Sequence, residues 1–404
     1  MPDRGDFSPN ALAALLGAGA RRSWPWWDAS HDEVLASAEA LTDCAGPEDL
    51  ERATAELIGD HLWQRLQTEV AGHNYLEWVS RLIDVIEARR AESGAWLLAH
   101  GLAAICPQPH RDRLLTVIGH GRGEACSVAP LWLPLVPQLR VDGDPQVVVD
   151  GYGVRYGLMV DLARPGKAAR TYLIDLDLCL RFVSPPSGWH ADLDSALAAW
   201  RAQVGPSADG VRPQPAGGEL LVQLLPRDLE YIGPTLMGNE RRDQLAEFFR
   251  MRRVVELVRS SLGLDDTRPP PIADEAVRSR VDDFLAWCAD RDVAVPDREA
   301  ADWLVTEWLR SVPPAAGLGC SPHRIVTFTH GFHEEWRDGA ERRAAVATLP
   351  RWIGYCLDRS AVPDHLAAPC RDMAGRLETD PDAVAALGAP VPQVPTPELD
   401  RAGA

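Results

Sequence analysis

Two β-type runs, Val154–Asp161 and Thr171–Leu180, flank a Pro165-Gly166 turn in a chain whose other apolar periodicities are helical. Strand side chains alternate between two faces, and Pro-Gly supplies the reversal, so the two runs predict an antiparallel hairpin. With the turn centred on Gly166, Arg155 falls opposite Asp177, and Asp161 falls near Thr171. Val147–Val149 adds a third strand, giving a small sheet within about 146–183. A hairpin alone is marginally stable in water, so this sheet needs helices to lean on. Two segments qualify: 191–204, with Leu193, Leu197, Trp200 and Val204 in helical register, and the Arg-rich 240–262.

The rest of the chain reads as helix. Pro47-Glu48-Asp49 opens a segment carrying Leu50, Ala53, Leu57, Leu62 and Leu66 at helical spacing. Asn74 with Glu77 resembles a capping box, and shorter helices are expected at about 94–105 and 109–118. Pro269-Pro270-Pro271 favours an extended spacer. After it come a helix over 273–290, one capped by Asp297, one started by Ser321-Pro322 and one following Pro350. The fold class expected is α+β, predominantly α: a helical N-terminal half, a small antiparallel sheet in the middle and a helical C-terminal domain. The division is an N-terminal arm (1–30), a helical domain carrying the sheet (31–262), a Pro-rich linker (263–272), a C-terminal helical domain (273–379) and a disordered tail (380–404).

Composition excludes several kinds of chemistry. The 41 Lys+Arg face 59 Asp+Glu, and the resulting charge of −18 argues against nucleic-acid binding by bulk electrostatics. Lys167 is the single lysine. A Walker A loop would need Gly and Ser/Thr where Asp161 and Ala168 stand, which disfavours P-loop chemistry. Pyridoxal and kinase chemistry would also have to use that one turn lysine. Eight cysteines without a C-x-x-C pair, and an N-terminus without an apolar signal region, lead us to expect reduced thiols and a cytoplasmic location. No run approaches the length of a membrane span, so no membrane association is expected.

Four constellations could carry function. Asp175 and Asp177, two apart on a strand, project from one face, and with Asp161 could offer carboxylates to a divalent metal or to acid–base chemistry. The plainer account is a solvated face bearing an Arg155–Asp177 pair. His330 and His333, at i and i+3, could present two imidazoles to a metal, although the order is neither H-E-x-x-H nor H-x-x-E-H. Cys320-Ser321-Pro322-His323 sets a thiol near an imidazole, but Ser-Pro there is better explained as a helix start. Arg21, Arg22, Trp24, Trp26 and Trp27 combine residue types enriched at binding hot spots and are the candidate interaction patch. The arginines of 240–262 are largely balanced by acids on the same helix, so a paired, solvated face is expected there.

Phe284-x-x-Trp287, Trp308-Leu309 and Leu349-Pro350-x-Trp352-Ile353-x-Tyr355-Cys356 resemble the C-terminal part of a diffuse group of uncharacterised actinobacterial proteins. The group combines helical segments with a short hairpin, so the resemblance implies architecture and carries no activity. The function expected is that of a non-enzymatic intracellular interaction or regulatory protein, acting through a protein partner or self-association and without a cofactor. The alternative is a metal-dependent phosphoester or nucleotide hydrolase built on Asp161, Asp175 and Asp177, for which a divalent metal would be required.

Overall fold

In the computed structural model of the chain the hairpin has the expected register, with Arg155 opposite Asp177 and Asp161 opposite Thr171. The structure describes residues 25–66, 75–121, 129–179, 182–225, 242–264, 267, 270–335 and 340–387. Among them are five N-terminal helices, α1 (Pro25–Ser37), α2 (Pro47–Leu66), α3 (Tyr75–Ala88), α4 (Ser93–Ile105) and α5 (His110–Gly121). Next come β1 (Arg140–Val141), β2 (Gln146–Val149), β3 (Arg155–Ala163), β4 (Arg170–Asp177) and β5 (Phe182–His190). Then follow α6 (Leu193–Val204), β6 (Gln214–Pro215), α7 (Gly218–Leu224) and α8 (Arg242–Ser261). The C-terminal helices are α9 (Asp274–Asp290), α10 (Arg298–Arg310), α11 (Pro322–Glu335), α12 (Ala340–Arg359), α13 (Asp364–Thr379) and α14 (Pro381–Leu387).

The six-stranded sheet runs β5-β4-β3-β2-β6, with β1 also pairing β3, and every pairing is antiparallel. Helices cover both faces. Tyr156, Leu158, Val160, Tyr172, Ile174 and Leu176 point to the side where Val254, Val255 and Val258 of α8 pack. On the other side Val148, Met159 and Leu173 meet Trp200 and Leu197 of α6. A Cβ on Gly157 would come within 2.9 Å of the Trp200 ring, so glycine makes room for the indole to pack there. Asp192 starts α6 with a reciprocal capping box to Ser195, satisfying two otherwise orphaned backbone donors.

Buried charge ties the N-terminal helices to the sheet. Glu51 of α2 accepts hydrogen bonds from Arg164, at the end of β3, and from the Trp189 indole at 3.1 Å. Arg250 of α8 approaches the same carboxylate at 2.9 Å and also pairs with Glu247. The Tyr172 hydroxyl donates to Glu247 at 2.8 Å. Arg250, Arg252 and Arg259 are all buried, so the solvated basic face expected for 240–262 is not what forms. The helix is sandwiched between α2 and the sheet, and these three arginines serve the interior.

The C-terminal helices build their own core around Phe284, Trp308, Trp352 and Tyr355, and they also reach back to the sheet. The Tyr156 hydroxyl donates to the Ala315 carbonyl at 3.1 Å, and the Cys320 amide donates to the Tyr152 carbonyl at 3.0 Å. The start of the 263–272 spacer is held too, since Arg259 donates to the carbonyls of Leu264 and Thr267. Three other expectations need correction. Pro350 lies inside α12 rather than before it, and the buried Leu349, Trp352, Ile353 and Cys356 offset the roughly 3 kcal/mol that an interior proline costs. The tail taken as disordered from 380 begins with α14, whose Val384 and Ala385 join the C-terminal core. The arm taken as 1–30 already contains the start of α1.

Asp150 organises the turn between β2 and β3, accepting the amides of Val154 at 3.0 Å and Arg155 at 3.1 Å. Burial raises its pKa above the ordinary carboxylate value, only partly opposed by these donors and by Ser207 and Tyr152. A raised native pKa means that the native state holds more protons than the unfolded chain. The stabilisation is therefore complete below the unfolded pKa and is lost as pH rises through the native one. Asp150→Asn keeps an acceptor without a proton to lose. Urea denaturation of the variant is expected to show a flatter stability profile between about pH 4 and pH 7. A slope equal to that of the parent would refute this.

Candidate functional site

The site is built where the end of β4 meets the start of α11. After β4 the chain turns, and the Cys179 amide donates to Asp177 Oδ1 at 2.9 Å. Across from it, Ser321 caps α11: its hydroxyl accepts the Arg324 amide at 3.0 Å, and Pro322 takes the first helical position, where a missing N–H costs nothing. This start puts His323 in the first turn, with Nδ1 3.4 Å from Asp177 Oδ2. Cys179 Sγ lies 3.9 Å from the Ser321 hydroxyl. One donor atom from each of Asp177, Cys179 and His323 lies within 4.8 Å of the other two. The imidazole is 47% exposed and the carboxylate 13%, so the cluster opens to solvent on the His323 side.

Burial opposes ionisation of Asp177, but the hydrogen bond and charge of His323, with Arg155 and the Cys179 amide, hold its carboxyl below the ordinary range. Burial and the neighbouring Asp177 carboxylate push the Cys179 thiol up. A Cys–His–Asp relay would set its members in line, with the imidazole in the middle and the thiol activated. Here the three form a compact triangle, and the thiol keeps its proton. Carboxylate, thiol and imidazole together are the donor set of borderline divalent ions.

Of the carboxylates singled out in the sequence, only Asp177 enters this cluster. Asp175 is fully buried rather than on a solvated face. It receives Arg155 through Nε at 3.1 Å and Nη2 at 2.5 Å, and the Trp200 indole at 3.1 Å. Arg155 thus makes its two-pronged ion pair with Asp175, while its charge also acts on its register partner Asp177. Once α6 covers this face, the buried carboxylate requires compensation, and the long Arg155 side chain reaches it. The Asp175 amide donates to the Ser187 hydroxyl at a bulge in the β4–β5 pairing, where β5 carries Pro185-Pro186 on the sheet edge. Asp161 is exposed and accepts from Thr171 Oγ1 at 2.5 Å, at the other end of the strand.

His330 is half-buried in α11, and among the described residues it joins no metal-type cluster. The His333 side chain lies outside the described residues, as do Arg21, Arg22 and Trp24. Trp26 and Trp27 fall in the first turn of α1, and their side chains are likewise outside the described set. The sequence sets His323 beside Cys320, and nothing local links either to Cys179. The one available signal was the i, i+2 spacing of Asp177 and Cys179 at a strand end.

Arg324 underlies the site. Its guanidinium is buried and donates to the carbonyls of Trp308 (2.6 Å), Ala316 (2.8 Å) and Gly319 (2.6 Å), and it lies over the Trp308 ring. Burial lowers its pKa to about 10. These bonds fold residues 316–319 into the loop that delivers Ser321 and His323 to the sheet. No helix of the described residues is long and apolar enough to cross a membrane. Comparison with family models, curated proteins and solved structures gives no match to this chain.

Proposed function

We propose that this chain is a non-enzymatic regulatory protein, acting in the cytoplasm through a protein partner or a second copy of itself. The regulated element is the seam between the sheet and the C-terminal helices. The observation that carries this reading is the half-exposed His323–Asp177 contact, which closes a seam that backbone bonds, apolar packing and the Tyr156 hydroxyl also hold. Such a contact is weak enough to be opened by a ligand or a partner, since exposed ion pairs contribute about 0.2–1 kcal/mol. The arginines of α8 support leaving nucleic acid aside, because Arg250, Arg252 and Arg259 are buried and so cannot meet a phosphate backbone. The metal-dependent hydrolase reading has less support, since Asp175 is engaged by Arg155 and Trp200, and Asp161 lies far along the strand.

His323→Ala tests the seam. Amide exchange over residues 313–324 is expected to rise about two- to fivefold, in line with a loss of up to about 1 kcal/mol. The self-association constant measured by light scattering, or the affinity for an isolated partner, should shift with it. Unchanged exchange together with unchanged association would refute the regulatory reading.

A further inference from the structure

We infer that Asp177, Cys179 and His323 form a binding site for a thiophilic divalent cation of the zinc class. Around a four-coordinate ion of this kind, donor atoms sit about 2.0–2.3 Å from the metal and so roughly 3.5 Å from one another. The Asp177 Oδ2 to His323 Nδ1 separation is already 3.4 Å, and all three donors lie within 4.8 Å. Closing the set therefore means shortening the widest donor separation by at most about 1.3 Å.

The donor types select the ion. Magnesium and calcium take mostly oxygen ligands, six or more in the case of calcium, and here there is one carboxylate. A thiol with an imidazole favours zinc-class ions instead. The charges also balance: binding releases the Cys179 proton to solvent, and thiolate plus carboxylate neutralise a dication beside a neutral imidazole. The nearby Arg155 does not spoil this, because Asp175 matches its charge with a two-pronged contact.

Outer contacts orient the ligands, as metal sites require. The Cys179 amide fixes one oxygen of Asp177 at 2.9 Å, leaving the other toward His323. The Ser321 hydroxyl adjoins the Cys179 sulfur at 3.9 Å. Three protein donors leave a fourth position on the exposed His323 side, for water or for a side chain of a partner.

The ligands come from two segments, the end of β4 and the first turn of α11, so an ion would clasp the seam. The site itself does not depend on the regulatory reading. The test titrates the full-length protein with Zn²⁺, with Mg²⁺ as the hard-cation control, and uses Co²⁺ as a spectroscopic reporter. One equivalent of Zn²⁺ is expected to bind saturably, Mg²⁺ is not, and Co²⁺ should give a near-ultraviolet thiolate-to-metal band that Cys179→Ser removes. Asp177→Asn and His323→Ala should each weaken Zn²⁺ binding at least about tenfold, whereas His330→Ala leaves it unchanged. Absence of saturable Zn²⁺ binding, or binding indifferent to His323→Ala, overturns the site. If Asp177→Asn or Cys179→Ser fails to fold by circular dichroism, the half-exposed His323→Ala decides alone. Zinc binding as described with exchange over 313–324 unmoved upholds the site and counts against the regulatory seam. Exchange that responds to His323→Ala without any ion binding does the reverse.

Discussion

Arg324→Met is expected to destabilise the protein by roughly 3–5 kcal/mol, since it removes three hydrogen bonds from a charged donor, each worth about 1.5–3 kcal/mol before the recovered cost of burying the guanidinium. Methionine fills most of the volume but leaves the carbonyls of Trp308, Ala316 and Gly319 without the donor they now share. Ser311 Oγ still donates to the Trp308 carbonyl and the Gly319 amide to that of Ala316, so the Gly319 carbonyl bears the cost of about 1–3 kcal/mol for an acceptor left unpaired, and the stacking on Trp308 is lost as well. Against this stands the recovered cost of burying a guanidinium. That recovery is largest when both partners are replaced by apolar groups, and here the carbonyls remain. The loss should therefore win. Urea denaturation near neutral pH measures it. A change below about 1 kcal/mol would mean that water re-satisfies the loop and that Arg324 does not organise it. The variant should also weaken whatever binds at the Asp177–His323 cluster, because residues 316–319 set the start of α11.

The second large effect is expected from Glu51→Gln, again about 3–5 kcal/mol. Arg164 and Arg250 are only 3% and 4% exposed, and Glu51 is the carboxylate they share. The isosteric amide removes the charge and turns one acceptor into a donor facing a guanidinium. Glu48 and Glu247 keep one contact each, which sets the upper limit. Because the groups are buried, added salt should change the loss little, in contrast to a surface pair. The same substitution in an Arg250→Met background should cost less, since the cycle removes one uncompensated charge. Equal costs in the two backgrounds would show that the three residues do not act as a unit.

Much of the local structure was legible from residues alone. The alternation through Tyr156–Asp161 and Thr171–Asp177, with Pro165-Gly166 between them, gave away the hairpin and its register, because side-chain period and turn chemistry act over a few residues. Helical spacing placed α6, α8 and α9 within two residues of their ends, and Asp297 caps α10 through the amides of Glu299 and Ala300 as expected. Proline was the weak point. Pro350 read as a boundary, but packing of Trp352 and Ile353 outweighs the local penalty.

The candidate site was legible only in pieces. Period-two spacing sets Asp175 and Asp177 on one face, but nothing local says that α6 will cover Asp175 while Asp177 stays at the rim. That difference decides their chemistry: the buried carboxylate is engaged by Arg155 and Trp200, and the one at the rim meets His323. His323 arrives from a helix more than a hundred residues further along, delivered by a loop that Arg324 gathers through its carbonyls. Strand period, turns and caps are written in neighbouring residues, so the hairpin, its register and helices such as α6, α8 and α9 follow from the chain alone. Which face is covered, which charges are paired and which donors converge depend on contacts between distant segments. Only the tertiary structure decided those, because the free energy of burying a carboxylate or an arginine is set by what packs against it.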